Sequence, residues 1–339
     1  MNYVIETSKL RKNYGTETDA VSDLDIAVEE GETFGLVGPN GAGKTTVVKM
    51  LTTLVHPTSG SARVGGFDIA TERAKVRKVI GYLPQQLTAD DTLTGYENLL
   101  FYAKLYGLSG RLRKQRIEEG LAVVGLSKWS NAMVSTYSGG MKRRLELASV
   151  LVCRPRILFL DEPSLGLDPR SRILVWDFLR KLRVSFEITI FLTTNYMDEA
   201  DRLCDRLAII DLGKIVTEGS PAKLRESLKG EVLTLKINPP DADLGKLFEL
   251  NTYATKIERS EDSVRIILSG PGENALPAII SSLEGAGIEI VSIAMHKPNL
   301  EDVFTTYTAK TLEHDTSVDI SPESDIEQKQ KRARWYDLR

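Results

Sequence analysis

A glycine-rich segment ending in lysine and threonine is the first feature of this sequence that could do chemistry. Residues 38–45, the phosphate loop, match the pattern G-x-x-x-x-G-K-[ST] at every fixed position. Its glycines allow the backbone to curl so that successive N–H groups face one phosphate group. Lys44 supplies a positive charge to the outer phosphates, and the Thr45 hydroxyl is suited to ligate Mg²⁺. The predicted nucleotide contacts are Gly38, Pro39, Asn40, Gly41, Ala42, Gly43, Lys44, Thr45 and Thr46.

Two adjacent acids, Asp161 and Glu162, follow an apolar run at residues 157–160. Such a run predicts a buried parallel strand, and its final carboxylates would lie at the sheet edge where ligands of open α/β sheets bind. Asp161 would hold Mg²⁺ through the water shell of the ion, while Glu162 would polarise the attacking water. A strand ending in two acids is common by itself. It indicates a nucleotide site here because the phosphate loop occurs in the same chain.

The elements that must position these groups follow from the periodicity of the sequence. Residues 34–37 are apolar and an amphipathic pattern follows the phosphate loop, which predicts strand, loop and helix in that order. From about residue 156 to 228, apolar strands alternate with helical segments, which favours right-handed βαβ units and a parallel sheet. Residues 3–30 predict an antiparallel sheet that carries Tyr14.

Residues 3–228 resemble the nucleotide-binding subunit of an ATP-binding cassette (ABC) transporter, because several independent motifs occur in the order of that family. Tyr14, in the segment Lys-Asn-Tyr-Gly, resembles the aromatic residue that stacks on adenine. Gln85, in Gly-Tyr-Leu-Pro-Gln, resembles the glutamine that contacts Mg²⁺ and the attacking water. The resemblance thus implies ATP and Mg²⁺ as the bound ligands.

Ser138, Gly139 and Gly140 resemble the signature motif of the same family, which covers the ATP bound to a second chain. Ser-Gly-Gly before a helix is by itself more often a plain N-cap, and Ser138 suits that position. Asp168 resembles the aspartate of the loop that crosses the dimer interface. Within the family, the Tyr-Ser-Gly-Gly-Met form of the signature motif and residues 298–304 resemble the daunorubicin-resistance, drug-export type. The partner of that type is a separate membrane permease.

One position departs from the pattern of the family. Residues 192–200 match the family's switch region, except that Asn195 occupies the place of a histidine that contacts the γ-phosphate. Asn donates and accepts hydrogen bonds but carries no titratable proton and no charge near neutral pH. Two interpretations have equal weight: the amide keeps the phosphate contact, or hydrolysis is slowed. The predicted catalytic group is therefore Glu162, Asn195 and Gln85, with Thr45, Gln85 and Asp161 as metal ligands.

The length of 339 residues favours two domains. The predicted fold class is α/β: a P-loop NTPase (ABC ATPase) domain with antiparallel β and helical subdomains, followed by a small α+β ferredoxin-like domain. The ATPase domain spans residues 1–229 and includes a helical subdomain at about 86–137, which in the family receives the permease. Residues 230–310 follow the order βαββαβ and form the accessory domain. Residues 311–339 are strongly charged, which predicts a flexible tail.

Composition limits the classes of partner. The net charge of −3 gives no general attraction for nucleic acid, and no run is apolar for long enough to cross a bilayer. Cys153 and Cys204 show no pairing pattern, which predicts free thiols in a reducing compartment. The family resemblance then implies a cytoplasmic chain that is peripheral on the inner face of the cell membrane through its permease, as a homodimer or heterodimer.

Three other classes of ATPase share parts of this pattern. A chromosome or DNA-repair ATPase would need a long heptad-bearing insertion between the phosphate loop and Ser138, and the intervening residues lack sustained heptads. A translation-factor ATPase usually carries two cassettes, whereas this chain has one phosphate loop. A nucleotide-dependent regulator with little turnover stays open because of Asn195.

Overall fold

The structure, a computed structural model, describes residues 2–239, 253–259 and 263–315. A helix predicted from the sequence at residues 241–250 and the charged residues 316–339 lie outside the described residues.

The described strands and helices alternate along most of the chain. The strands are β1 (Tyr3–Lys12), β2 (Val21–Leu24), β3 (Ala27–Glu29), β4 (Thr33–Val37), β5 (Ser59–Val64), β6 (Phe67–Asp68), β7 (Ile80–Leu83), β8 (Ile157–Asp161), β9 (Thr189–Thr194), β10 (Arg206–Asp211), β11 (Lys214–Gly219), β12 (Val232–Asn238), β13 (Ala254–Arg259), β14 (Val264–Leu268) and β15 (Glu289–His296). The helices are α1 (Lys44–Leu51), α2 (Arg73–Val79), α3 (Gly95–Leu105), α4 (Gly110–Val123), α5 (Gly139–Leu151), α6 (Pro169–Phe186), α7 (Met197–Leu203), α8 (Pro221–Ser227), α9 (Gly272–Gly285) and α10 (Leu300–Asp315).

A six-stranded sheet in the order β11-β10-β4-β9-β8-β7 forms the centre of the ATPase domain. Its strands are parallel except β11, which pairs antiparallel with β10. On one face, the Phe191 ring packs between two others, with its centroid 5.6 Å from that of Phe34 and 5.5 Å from that of Phe159. Leu158 and Leu160 pack on the other face, against the helices. The near-continuous apolar strands of the sequence thus reflect burial on both faces, and the predicted parallel sheet is confirmed.

The register of the central sheet brings the ends of its inner strands together. Val37, at the end of β4, pairs with Thr194 of β9, and Thr193 pairs with Asp161 of β8. Leu83 of β7 pairs one position earlier on β8. The loops that follow these four strands therefore leave the sheet at the same edge.

The antiparallel sheet predicted from residues 3–30 is confirmed. Strand β1 pairs with β2, β3 and β5, and β6 extends the sheet beyond β5. This sheet and α1 cover the phenylalanine face of the central sheet. Tyr14 lies in the loop between β1 and β2 rather than on a strand.

The helical block consists of α3 and α4, followed by two short 3-10 turns at Ser127–Trp129 and Val134–Thr136. The helical pattern does not reach back to residue 86, because α3 begins at a capping box. Thr94 Oγ1 accepts from Glu97 N at 3.2 Å, and Glu97 Oε2 accepts from Thr94 N at 2.8 Å. These reciprocal bonds satisfy backbone donors at the helix start and fix the boundary there.

The accessory domain is built on a four-stranded antiparallel sheet in the order β13-β14-β12-β15. The third strand of the unit lies beside the first, as the βαββαβ order of a ferredoxin-like fold requires. Helix α9 packs on this sheet. Helix α10 crosses the boundary predicted at residue 310 and packs against α7 and α8 of the ATPase domain, where Leu300 and Val303 are buried. Over the described ranges, no helix is both long and apolar enough to cross a bilayer.

Candidate active site

The phosphate loop connects β4 to α1, and its backbone requires glycine at several positions. Gly41 and Gly43 have φ angles of 87° and 104°, in the region that L-residues with a side chain rarely adopt. A Cβ on Gly43 would lie 2.3 Å from the carbonyl oxygen of Ala20, and one on Gly38 would lie equally close to a carbonyl of β10. The glycine pattern is therefore explained by conformation and by the close approach of neighbouring backbone.

A cavity of about 310 Å³ opens beside the phosphate loop. Its lining residues are Ala20, Asn40, Gly41, Gly43, Lys44, Thr45, Thr46, Gln85 and Glu162. Most of the predicted nucleotide contacts thus surround one space, together with the loop after β7 and the turn after β8. Gly38, Pro39 and Ala42 lie outside the lining, and Ala42 is buried. Another cavity, of about 350 Å³, includes Thr33 and Ile190 at the opposite end of the sheet, where no predicted site residue lies.

The Lys44 side chain is held inside the loop that it follows. Its Nζ donates to the carbonyl oxygens of Gly38 at 2.7 Å and Pro39 at 2.9 Å, and lies 3.4 Å from Glu162 Oε1. Burial lowers the pKa of Lys44, and the nearby carboxylate of Glu162 opposes that effect. The phosphate loop therefore carries a fixed, largely desolvated cation in the lining of the cavity.

Oxygen atoms suited to Mg²⁺ meet between α1 and β8. Thr45 Oγ1 donates to Asp161 Oδ1 at 3.1 Å, and Thr193 Oγ1 donates to the same oxygen at 2.6 Å. Asp161 Oδ2 is buried and has no hydrogen-bond partner within the described part of the chain. A buried carboxylate oxygen without a donor costs free energy unless a cation neutralises it, and hard oxygen ligands suit Mg²⁺. The residues present therefore fit the metal ion expected from the sequence.

Glu162 occupies a strained turn directly after β8. Its φ angle of 47° lies in the left-handed region, which is uncommon for a residue with a side chain and often marks a functional site. Gln85 Nε2 donates to Glu162 Oε2 at 3.1 Å, so the predicted metal-contacting amide and the predicted base are direct neighbours. Both residues line the cavity, and Glu162 also lies beside Lys44 of the phosphate loop.

Asn195 lies directly after β9, at the same edge of the sheet. It is partly buried but outside the cavity lining. Its Oδ1 is buried and, among the described residues, has no hydrogen-bond partner. The loop around it is fixed by a bond from Tyr196 N to Thr194 Oγ1 at 2.9 Å and by the guanidinium of Arg172 over the Tyr196 ring at 4.5 Å. The amide is thus placed beside the site on an ordered loop.

The signature residues begin α5 and lie apart from the cavity of their own chain. Ser138 is the N-cap of α5, as predicted, and its Oγ accepts from Met141 N at 3.3 Å. A Cβ on Gly140 would lie 2.6 Å from Ser171 Oγ, so close packing of α5 against α6 requires glycine there. Gly139 is exposed, with ordinary space around it. Ser138 and Gly139 therefore lie at an exposed helix start.

Two further predicted residues are exposed. Asp168 is the N-cap of α6, where its Oδ1 accepts from Ser171 N at 3.0 Å, and hydrogen bonds from Ser171 lower the pKa of Asp168. The Tyr14 side chain is 54% exposed, and its ring centroid lies 5.0 Å from Lys12 Nζ. Neither residue lines the cavity, whereas Ala20, from the same loop as Tyr14, does.

Sequence reasoning missed two buried polar residues near the site. Thr193 joins β9 to Asp161, as described above. Glu199 of α7 is fully buried, and its Oε1 accepts from Trp176 Nε1 at 2.7 Å. Burial raises the pKa of Glu199, with Thr194 opposing that effect. The available signal was the i, i+4 spacing of Glu199 with buried Leu203, which places an acid on the apolar face of a helix.

This arrangement can hydrolyse a phosphoanhydride bond. A fixed cation and the backbone of the phosphate loop can hold phosphate oxygens, while Thr45 and Asp161 can hold Mg²⁺. Glu162 is placed to accept the proton of an attacking water, with Gln85 beside it.

Comparisons with known proteins identify the family of this chain. Residues 21–165 match the family model described as ABC transporter, and residues 219–308 match the C-terminal domain of DrrA1-3-like ATP-binding proteins. The daunorubicin/doxorubicin resistance ATP-binding protein DrrA of Streptomyces peucetius is 39% identical over 328 residues, covering 95% of this chain and 97% of that protein. The linearmycin resistance ATP-binding protein LnrL of Bacillus subtilis is 33% identical, covering 91% and 99%.

Solved structures give the same answer for the fold. Part of the ABC transporter complex cbiONQ, cbiO1 from Clostridium perfringens, matches with a TM-score of 0.62 and 26% identity, covering 68% of this chain and 94% of that chain. The family resemblance predicted from the sequence is therefore confirmed. This chain belongs to the family of ABC transporter ATP-binding proteins, in its DrrA-like branch.

Proposed function

We propose that this chain binds Mg-ATP and hydrolyses it at an interface with a second ATP-binding chain, and that this cycle drives export of a small molecule by a separate membrane permease. The observation that carries the proposal is the meeting of Lys44, Gln85 and Glu162 around one cavity. Asp161 lies behind this lining and accepts from Thr45, which belongs to it. The names of the relatives point to antibiotics as the class of exported molecule. Through the permease, the chain would lie on the inner face of the membrane.

The exposed signature motif supports the proposal that a second ATP-binding chain completes the site. Ser138 and Gly139 lie at the start of α5, where backbone N–H groups favour an anion, yet they do not line the cavity of their own chain. A phosphate loop and a signature from two chains would complete each site. ATP then joins the two chains, and loss of the γ-phosphate contact on hydrolysis separates them.

Exposed apolar side chains on the helical block support the proposal that the permease docks there. Phe101, Leu105 and Tyr106 of the α3 region are 56%, 66% and 46% exposed, and Trp129 is 49% exposed. Apolar patches of this kind on a soluble domain mark surfaces that bind partners. Docking at this block would let closure of the two ATPase chains move the permease.

We expect Phe101→Asp to reduce recovery of the permease at least about tenfold, because an aspartate in an apolar interface loses buried area and places an unpaired charge there. The measurement is affinity purification of the tagged chain from membranes in which chain and permease are co-expressed. Val184→Asp is the matched control, since Val184 is an exposed apolar residue on α6. Equal recovery of the permease with the Phe101 and Val184 variants would remove the helical block as the docking surface.

The same preparation distinguishes the transporter subunit from a regulator with little turnover. ATP hydrolysis that depends on Mg²⁺ and rises when the permease is present supports the transporter function. Tight ATP binding without measurable turnover, with and without the permease, would support the regulator instead.

Asn195 carries a finer part of the proposal, namely that its neutral amide contacts the γ-phosphate and leaves hydrolysis slow. Its place directly after β9, the strand next to β8, and an Nδ2 group that can donate to a phosphate oxygen support this role. Removal of one positioned donor typically costs about 3–4 kcal/mol in the transition state, and a donating amide recovers part of it. The cationic form of a histidine would add charge that the amide lacks.

We therefore expect Asn195→His to raise the hydrolysis rate about tenfold, a fraction of that donor's full effect, and Asn195→Ala to lower it. The measurement is single-turnover hydrolysis at saturating Mg-ATP, which separates the chemical step from nucleotide affinity. A wild-type rate equal to that of the histidine variant would show that the amide is a full substitute.

A further inference from the structure

A buried guanidinium lies beneath the catalytic turn, on the helix that begins at the signature. Arg143 of α5 is only 3% exposed. Its Nε donates to Pro163 O at 2.8 Å, and its Nη1 donates to Pro84 O at 2.7 Å. Its Nη2 donates to Asp161 O at 3.2 Å and to Glu162 O at 3.3 Å. One planar group therefore joins the turn after β8 to the loop after β7.

Glu146, one turn later on α5, completes the arrangement. It is also 3% exposed, and its Oε2 lies 3.2 Å from Arg143 Nη1. Its Oε1 accepts from the backbone N of Thr88, from Thr88 Oγ1 at 3.1 Å and from Ala89 N at 3.2 Å. The carboxylate thus orients the guanidinium and also holds the loop after β7.

Stability alone does not explain this pair. Desolvation of two charges offsets most of their attraction, and apolar side chains of similar volume often stabilise a protein as well or better. The hydrogen bonds of Arg143 instead converge on the backbone of the turn that contains Glu162 and of the residue before Gln85. Its planar fork can reach several carbonyl oxygens at once, which the single ammonium group of a lysine cannot do.

The two segments that Arg143 joins carry the two groups that meet in the cavity. Pro84 directly precedes Gln85, and Glu162 has a strained backbone whose carbonyl Arg143 holds. The 3.1 Å bond between Gln85 and Glu162 therefore depends on both segments keeping their relative position. A small displacement of a reacting group lowers a rate steeply.

We propose that Arg143 is a positioning residue for the carboxylate of Glu162 and the amide of Gln85, with Glu146 orienting its guanidinium. The inference rests on the proposed hydrolytic function. Ser138 is the N-cap of α5, the helix that carries Arg143. Arg143 therefore connects the helix start proposed to face the second chain with the hydrolytic group of its own chain.

The test uses the full chain with Arg143→Lys, Glu146→Gln and the double variant Arg143→Met/Glu146→Leu. The double variant removes both charges, so no unpaired charge stays buried. We expect the single-turnover rate at saturating Mg-ATP to fall about ten- to a hundredfold in the double variant and in Arg143→Lys. Affinity for Mg-ATP, measured by calorimetry, should stay within about threefold, because Lys44 and the phosphate loop are unchanged. Glu146→Gln replaces one acceptor oxygen by an NH2 group, which opposes either Arg143 Nη1 or the backbone N–H groups of Thr88 and Ala89, so its rate should also fall.

Arg156→Met is the matched control. Arg156 pairs with Glu30 at 2.8 Å, is about half exposed and directly precedes β8, at the end of the strand opposite Glu162. Its rate and affinity should equal those of the wild type.

Two results would overturn the positioning role. One is a folded double variant that hydrolyses ATP within twofold of the wild-type rate. The other is weaker binding of Mg-ATP with an unchanged rate at saturation, which assigns the pair to the architecture of the nucleotide site. If the double variant does not fold, Arg143→Lys decides by the same criteria. Two further measurements separate this inference from the hydrolytic function. Absence of Mg²⁺-dependent hydrolysis by the wild type would contradict the function itself, whereas hydrolysis at the wild-type rate in Glu162→Gln would remove Glu162 as the base whose position Arg143 controls.

Discussion

Lys44→Ala should weaken Mg-ATP binding about a hundredfold, which corresponds to about 3 kcal/mol. Lys44 is 4% exposed and supplies the cation of the phosphate loop, so its contact with phosphate oxygens would be strong and desolvated. Its removal also leaves the buried carboxylate of Glu162 without its partner at 3.4 Å. An unpaired carboxylate beside the site repels the outer phosphates and adds to the loss of affinity.

Isothermal calorimetry with Mg-ATP measures this change, with single-turnover hydrolysis as the second measurement. Lys49→Ala is the matched control, because it removes the same charge from the last turn of α1, outside the cavity. Unchanged affinity together with unchanged turnover in Lys44→Ala would contradict the assignment of residues 38–45 as the nucleotide site.

Glu162→Gln should stop the chemical step and leave an ATP-dependent dimer that persists. The amide keeps the shape of the side chain but cannot accept the proton of the attacking water, and loss of a general base lowers a rate by about 10²- to 10⁴-fold. The amide oxygen of the variant can still accept from Gln85 Nε2, which lies 3.1 Å from Glu162 Oε2 in the wild type. Removal of a negative charge beside the γ-phosphate would further favour the closed, ATP-bound pair of chains.

Light scattering of the Glu162→Gln variant with ATP and Mg²⁺, at high protein concentration, measures this dimer. Addition of Lys44→Ala to the same chain is the control, since it should abolish the dimer by removing ATP. A variant that stays monomeric under these conditions would contradict a site shared by two copies of this chain. A dimer that forms only after a different ATP-binding chain is added would instead show a heterodimer.

The sequence by itself determined the parts of this protein whose information is local. Residues 34–51 contain a strand, a glycine-rich turn and a helix in one contiguous segment. Gly41 and Gly43 have positive φ angles, and Gly38 and Gly43 lie against neighbouring backbone carbonyls, so the local backbone favours glycine at these positions. The buried parallel strands were equally clear, because burial on both faces leaves an unbroken apolar run such as residues 157–160. The N-cap at Ser138 followed from its side chain and the helical pattern after it.

The tertiary structure decided which distant groups act together. Gln85, Glu162 and Asn195 are separated by long stretches of chain, and only the strand order and register of the central sheet bring them to one edge. It also decided that Tyr14, Ser138 and Asp168 face outward rather than into the cavity of their own chain.

The role of Arg143 illustrates the physical limit of sequence reasoning. An arginine on a helix usually faces solvent, and the pattern of α5 does not distinguish this one from its neighbours. Its partners are mostly backbone carbonyls of residues 84 and 161–163, and every residue type carries such a carbonyl. Residue identity therefore records the donor but not its acceptors, which only the packing of α5 beneath the sheet edge reveals.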